Sequence, residues 1–294
     1  MDESLSHWLG LREPADSAAR SQALARTIAA TVPTGQEVRV LDLATGTGAN
    51  IRYLIDRLPG RQRWLAIDRD AALLADLRER MSSWGAARGY HVRTTAGSCV
   101  IGGASLTCEI EMRQMDLGTL DDDQIFAGRH LVTASALLDL VSARWLRAFA
   151  TRCRAAGASA LCTITYNGRS SCVPVEPEDD LVRDLLNRHQ ERDKGLGGPA
   201  AGPDAVACAQ RSFAEAGYRV QLEPSDWTLG PDEAALQRML IDGWAHAAIE
   251  MAGDRDAAIT NWRARRFAHV DAGRSRLVVG HDDLGAWLPQ VGPT

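Results

Sequence analysis

Residues Val38 to Ile51 read VRVLDLATGTGANI. This stretch holds the side chains whose types and spacing point most directly to chemistry. Mostly apolar strand-forming residues run into an acid, Asp42, then a glycine-rich turn, then a helix start. Gly46 and Gly48 let the backbone approach a ligand closely and take φ > 0. The free N–H groups of the following helix aim at the same place. The pattern predicts an adenosine-containing cofactor.

The details discriminate between cofactors. A dinucleotide fingerprint needs a third Gly, and Ile51 stands in its place. A phosphate-cradling Walker loop needs Gly-Lys-Ser/Thr, and no Lys follows. Asp42 would repel a pyrophosphate, yet it can accept hydrogen bonds from an ammonium group, directly or through water. The segment DLATGTGAN (42–50) resembles motif I of the class I S-adenosylmethionine-dependent methyltransferases, with Ala44 replacing the first Gly of the commonest pattern. The resemblance implies a Rossmann-like fold and S-adenosyl-L-methionine as methyl donor, with S-adenosyl-L-homocysteine as product. It also implies cofactor contacts from Asp42, Ala44, Gly46, Gly48 and Asn50.

Further positions fit the same resemblance. Asp68 ends the next apolar run, where a carboxylate can take both ribose hydroxyls; the same acid would serve an NAD-binding fold. Asp116-Leu117 stands where the family carries an adenine-binding acid, the side chain accepting from the amino group and the next N–H donating to the ring. A turn-forming Asp before Gly118 is the plainer reading. Ala134 and Ser135 are expected beneath the methionine part of the cofactor. Arg20 is a candidate partner for the methionine carboxylate; alternatively it pairs with Asp16 at i, i+4 as a surface ion pair.

The segment TASALLDLVS (133–142) lacks the Asn/Asp-Pro-Pro-Tyr/Phe of enzymes that methylate base amines. The Pro-Cys loop of cytosine-C5 enzymes is also missing. Candidate acids and bases are Asp139, which is equally a helix-cap residue, Tyr166 after the fifth strand, and His189, with His246 behind them. His189 leads because unperturbed histidine titrates near neutrality. It opens a polar, then glycine-rich segment, NRHQERDKGLGGPAAGP (187–203), that suits a mobile lid over a small substrate or a plain surface connection. Trp227, Trp244 and Trp262 are expected mostly in the core, with one available as a pocket wall.

These residues need elements to hold them. Residues 5–30 read as helix, closed by Pro33-Thr34-Gly35. Strands are expected at 38–43, 63–68, 130–133, 160–165, 218–222 and 276–280. Helices are expected after Gly48 and over 71–84, 142–155, 179–192, 204–216, 232–251 and 256–267. Two alternating runs between Tyr90 and Asp116 suggest a hairpin where one short strand would do. The alternation predicts an α/β fold, a doubly wound, mostly parallel seven-stranded sheet with helices on both faces, plus an N-terminal helix and helical cap insertions. Ligands are then expected at the carboxyl ends of the strands. One domain is expected: an N-terminal helical segment (1–35), a cofactor-binding half (36–166) and a substrate-side half (167–294).

Bulk properties narrow the class. The chain has 294 residues, 45% hydrophobic and 24% charged, with net charge −5, an ordinary globular balance that shows no nucleic-acid footprint. The basic run RARR at 263–266 is a candidate local basic patch, with a solvated helix face as the plainer reading. The N-terminus shows no signal peptide and no apolar run of membrane-spanning length occurs. The six cysteines form no C-x-x-C, no His pair has metal spacing, and reduced thiols in a cytoplasmic protein are expected. The reading is a methyltransferase acting on an oxygen or nitrogen of a small molecule, without metal, as monomer or homodimer. An RNA- or protein-modifying enzyme, a non-catalytic S-adenosylmethionine-binding partner and, less favoured, an NAD-dependent oxidoreductase are the alternatives.

Overall fold

The strand before the glycine turn, β1 (Val38–Leu43), is buried at every position but Arg39, as in a strand covered on both faces. It lies at the centre of a sheet. In the computed structural model, which describes residues 5–104 and 106–289, α1 (Leu5–Ala19) and α2 (Gln22–Ala29) precede β1. After it come α3 (Ala49–Leu54), β2 (Arg61–Asp68), α4 (Ala71–Ala87), β3 (His91–Thr94), β4 (Ser98–Gly102), β5 (Thr107–Gln114) and β6 (Leu131–Ser135). The second half holds α5 (Ala143–Ala156), β7 (Ser159–Val173), α6 (Asp179–Gln190), α7 (Ala205–Glu215), β8 (Arg219–Pro224), β9 (Trp227–Leu229), α8 (Ala234–Ala252), α9 (Asp256–Asp271) and β10 (Arg276–Trp287).

One sheet runs in the order β3-β4-β5-β2-β1-β6-β7-β10-β8, with β9 paired to β10. The five strands β5, β2, β1, β6 and β7 are mutually parallel. β10 enters antiparallel between β7 and β8. The strand order reverses between β1 and β6, the switch point at which open α/β sheets leave a crevice for ligands. The sheet has ten strands where seven were expected. The extra ones are the β3–β4 hairpin, which extends the edge beyond β5, and the short β9.

Local chemistry explains the boundaries. The expected helix over 5–30 is two helices, because Ser21 caps α2 by accepting from the Leu24 N–H at 3.1 Å. Asp70 caps α4, Ser142 caps α5, and Gly157, with φ 67°, ends α5 in a left-handed turn. Three apolar cores result. One packs α5 and α7 on one sheet face; a second packs α2, α3 and α4 on the other. The third lies where α6, α8 and α9 fold over the extended ends of β7 and β10 as a cap.

The basic run is not a solvated face. Arg266 is fully buried and pairs with Asp179, while Arg265 pairs with Glu176 and Glu178. These contacts staple α9 to the start of α6. All six cysteines are buried and unpaired. Among the described residues, no helix is long and apolar enough to cross a membrane.

Candidate active site

The carboxyl end of β1 carries a buried polar chain. Asp42 is fully buried and accepts from Thr45 Oγ1 at 2.5 Å and Asn50 Nδ2 at 2.7 Å. Asn50 Oδ1 accepts from Arg20 Nη1 at 2.9 Å, and Arg20 Nη2 donates to Ser135 Oγ at 2.8 Å. Burial pushes the Asp42 carboxyl up to about 6, against the pull of its two hydrogen bonds and of the Arg20 charge. Burial likewise lowers the Arg20 guanidinium from its ordinary value. Arg20 is therefore no surface ion pair with Asp16. Asp16 bonds Arg12 instead, at 3.0 and 3.1 Å, and accepts from Trp227 Nε1 at 3.1 Å.

Three non-glycine residues have positive φ among the described residues: Ala44 (51°), Ala136 (53°) and Ile164 (55°). They follow β1, follow β6 and lie within β7, three neighbouring strands on the crevice. Such conformations cost of order 1–3 kcal/mol each and cluster at functional sites. Gly46 (55°) and Gly48 (79°) turn the chain between Ala44 and α3. Asp68 ends β2 beside this loop, its Oδ2 accepting from the Gly46 N–H at 2.8 Å and its Oδ1 from the Asp70 N–H at 3.0 Å. A carboxylate has about four acceptor positions, so capacity for ribose hydroxyls remains.

The residues fit a bound S-adenosyl group on their own evidence. Arg20 Nε and Thr47 Oγ1 are buried without hydrogen-bond partners among the described residues. Buried polar atoms are normally paired, and these two, on the glycine loop and on Arg20 beside it, leave donor capacity for a bound ligand. A Cβ on Gly46 would stand 3.2 Å from Leu9 Cδ1, so α1 lies directly on the glycine loop. Glu13, one turn on, clamps α1 to α3 through Arg52 at 2.7 and 2.8 Å.

At the other expected cofactor contact, Asp116 is exposed and its Oδ1 accepts from the Gly118 N–H at 2.6 Å, the turn-forming role. Leu117 is buried, and its carbonyl accepts from Trp145 Nε1 at 2.7 Å. The glycine-rich segment packs here: a Cβ on Gly118 would meet the Gly195 carbonyl at 2.8 Å. Asp116, Gly118, Thr119, Asp193 and Gly195 share a hollow of about 460 Å³. The glycine-rich part of the segment thus packs on the Asp116 turn, while its start, at His189 and Gln190, lines the cavity beyond Ala136.

Beyond Ala136 opens a cavity of about 480 Å³. Its lining includes all three of Asp139, Tyr166 and His189, so the structure brings the expected acid–base candidates together. Asp139 is buried, which pushes its carboxyl up to about 6; the backbone N–H groups of Asp139 and Tyr166 and the charges of Arg12 and Lys194 partly offset this. Tyr166 donates its hydroxyl to Asn187 Oδ1 at 2.8 Å, and burial raises its ionisation well above the ordinary value, so it is a poor base at neutral pH. His189 lies 3.4 Å from Glu250; burial lowers its pKa, and Lys194 adds to that. His246 lies outside this cavity, exposed and 3.5 Å from Glu250. Trp227 and Trp244 line the cavity, whereas Trp262 donates to Asp179 at 2.7 Å.

Sequence reasoning missed four residues of the site. Trp8 and Arg12 line the cavity from α1, with Arg12 stacked 4.9 Å from the Trp227 ring centroid. Their i, i+4 spacing with Asp16 was a readable signal for one helix face. His281 also lines the cavity, and burial pushes it down to about 3, so it is neutral. Asp283 accepts from the Ile164 N–H at 2.8 Å and the Ser21 N–H at 2.9 Å, tying the kink in β7 to α2. Both lie in the part of β10 beyond residue 280, where the final strand was expected to stop.

No protein-family model matches the chain, and no curated protein matches it. Solved structures similar in chain course include the cyclopropane synthase MmaA2 from Mycobacterium tuberculosis, 10% identical over 96% of this chain and 95% of that one, with a TM-score of 0.46. A SAM-dependent methyltransferase from Geobacter sulfurreducens, solved with S-adenosyl-L-homocysteine, is 14% identical over 95% and 98%, with a TM-score of 0.44. The YcgJ protein from Bacillus subtilis is 12% identical over 92% and 100%, with a TM-score of 0.47.

Proposed function

We propose that the protein is an S-adenosylmethionine-dependent methyltransferase that methylates an oxygen or nitrogen of a small molecule in the cavity behind Ala136. The adjacency of Ser135 and Ala136 carries this reading. Ser135 bonds Arg20 in the buried polar chain beside the glycine loop, and the next residue lines the cavity. In this reading the donor and acceptor sites meet at the end of one strand.

Asp42, Asn50 and Thr45 form the floor of the donor site, and Arg20 supplies a cation for the methionine carboxylate. Asp68 faces the ribose, with Asp116 and Leu117 at the adenine end and Ala134 beneath the methionine. The bound sulfonium supplies an already activated methyl group. The protein has to position the nucleophile, exclude water and take one proton. Asp139 is the favoured base over His189, since it is buried, stands three residues after Ala136 and lacks a side-chain partner. Leu9 of α1 lies against the glycine loop, so α1 bounds the donor site.

Calorimetry with S-adenosyl-L-homocysteine and with NAD tests the donor site. Micromolar binding of the first and none of the second is expected; the reverse would overturn the reading. Arg20→Ala should weaken S-adenosyl-L-homocysteine about tenfold or more, consistent with losing a charge-assisted hydrogen bond. Mass spectrometry of extract incubated with deuteromethyl-labelled donor would then reveal the product.

A further inference from the structure

We propose that the cavity binds a planar aromatic compound bearing a hydroxyl group, which it presents to Asp139 for methylation on oxygen. This rests on the methyl-transfer reading above. Aromatic residues make up only 5% of the chain, yet Trp8, Tyr166, Trp227 and Trp244 converge here from α1, β7, β9 and α8. Flat walls on several sides favour a flat guest through stacked and edge-on contacts. The volume of about 480 Å³ suits a molecule of one to three fused rings.

Charge selects against a cationic guest. The electron-rich faces of Trp227 and Trp8 are already met by Arg12, at 4.9 and 5.8 Å from the ring centroids. Lys194 adds a second positive charge felt at Asp139. An ammonium would have to displace Arg12 from these rings, whereas an oxygen developing negative charge would gain from Arg12 on the cavity wall.

Two directional groups remain for such a guest. Asp139 is bonded only by the backbone N–H groups of Asp139 and Tyr166 among the described residues, which leaves its carboxylate further acceptor positions, and His281 is buried with its Nδ1 unpartnered. A phenolic hydroxyl, ionising near 10, is far better matched to a carboxylate base than an aliphatic alcohol is. In the step, an Asp139 oxygen takes the hydroxyl proton while the hydroxyl oxygen forms the new C–O bond. The methyl–sulfur bond breaks with its electron pair retained on sulfur, and the proton then leaves Asp139 to water. Methyl ether, S-adenosyl-L-homocysteine and one proton account for all atoms and charge.

Three probes test this by calorimetry, each with and without saturating S-adenosyl-L-homocysteine: 2-naphthol, decahydro-2-naphthol and 2-naphthylmethylammonium. 2-Naphthol should bind about tenfold tighter than either alternative. Trp244→Leu should remove most of that preference while leaving the saturated alcohol within about threefold of its wild-type affinity. Asp139→Asn should still bind 2-naphthol but no longer convert it to labelled 2-methoxynaphthalene with deuteromethyl donor. Equal binding of the ring and its saturated form, preference for the ammonium, or no binding of any probe would overturn the proposal. If S-adenosyl-L-homocysteine itself fails to bind, the methyl-transfer reading falls, while the ring preference is still read from the titrations without it.

Discussion

At the scale of single residues, the buried carboxylates make the protein's stability depend on pH in an unusual direction. An unfolded aspartate loses its proton near 3.8, whereas Asp42 holds it until about 6. The folded state therefore binds more protons across that interval, and stability falls as pH rises from about 4 to about 6. Asp139 acts in the same sense. Asp42→Asn should consequently gain on wild type as pH rises through this window, by up to about 3 kcal/mol. Thermal melts at pH 4 and pH 7 measure it; a constant difference would contradict the assignment. Ala44 offers a second test. Its φ of 51° suits glycine, so Ala44→Gly should leave stability unchanged or raise it by up to about 1 kcal/mol, with S-adenosyl-L-homocysteine affinity within about threefold. Chemical denaturation and calorimetry together decide this.

At the scale of elements, α1 is the helix with the most to do. Trp8, Arg12 and Asp16 form the stripe facing the cavity and Trp227, while Leu9 and Glu13 form the stripe facing the glycine loop and α3. The Glu13–Arg52 pair is half sheltered, with side-chain exposures of 24% and 6%, so it is stronger than a surface bridge. Glu13→Gln should loosen α1. The expected result is faster association of S-adenosyl-L-homocysteine in stopped flow and faster amide exchange over residues 5–19, with the other helices unaffected. Unchanged exchange there would mean the clamp is unimportant. Much of the element pattern was legible in the sequence. The apolar run 38–43, the stripe over 71–84 and Gly157 each had one local cause, and each appears where expected. The break at Ser21 and the length of β7 and β10 were not. Ser21 is a favoured N-cap type and a weaker helix former than Arg20 or Gln22, but isolated serines also sit inside helices, and the Asp283 that holds its N–H lies far along the chain. The outer part of β7 pairs with β10 a hundred residues later, information that no local window contains. His281 and Asp283 were invisible for the same reason.

At the scale of the molecule, one continuous sheet underlies both the proposed donor site and the cap. The cap has its own apolar core, and the Arg266–Asp179 pair ties its last helix to its first. Arg266 is fully buried, so removing its partner strands a charge away from water. Asp179→Ala should cost about 3–5 kcal/mol in denaturant unfolding. Arg266→Met with Asp179→Leu should recover much of that loss, because the penalty belongs to the orphaned charge and not to the pair. Full loss in the double variant would show that the ion pair itself matters.

The shared wall at α1 makes the two sites thermodynamic neighbours. If filling the glycine-loop side resets where α1 rests, the affinity of the aromatic cavity changes by some factor. Linkage requires the second ligand to change the first by that same factor. The spent donor and the methylated product are subject to the same reciprocity, so the affinity of each depends on the occupancy of the other by one shared factor.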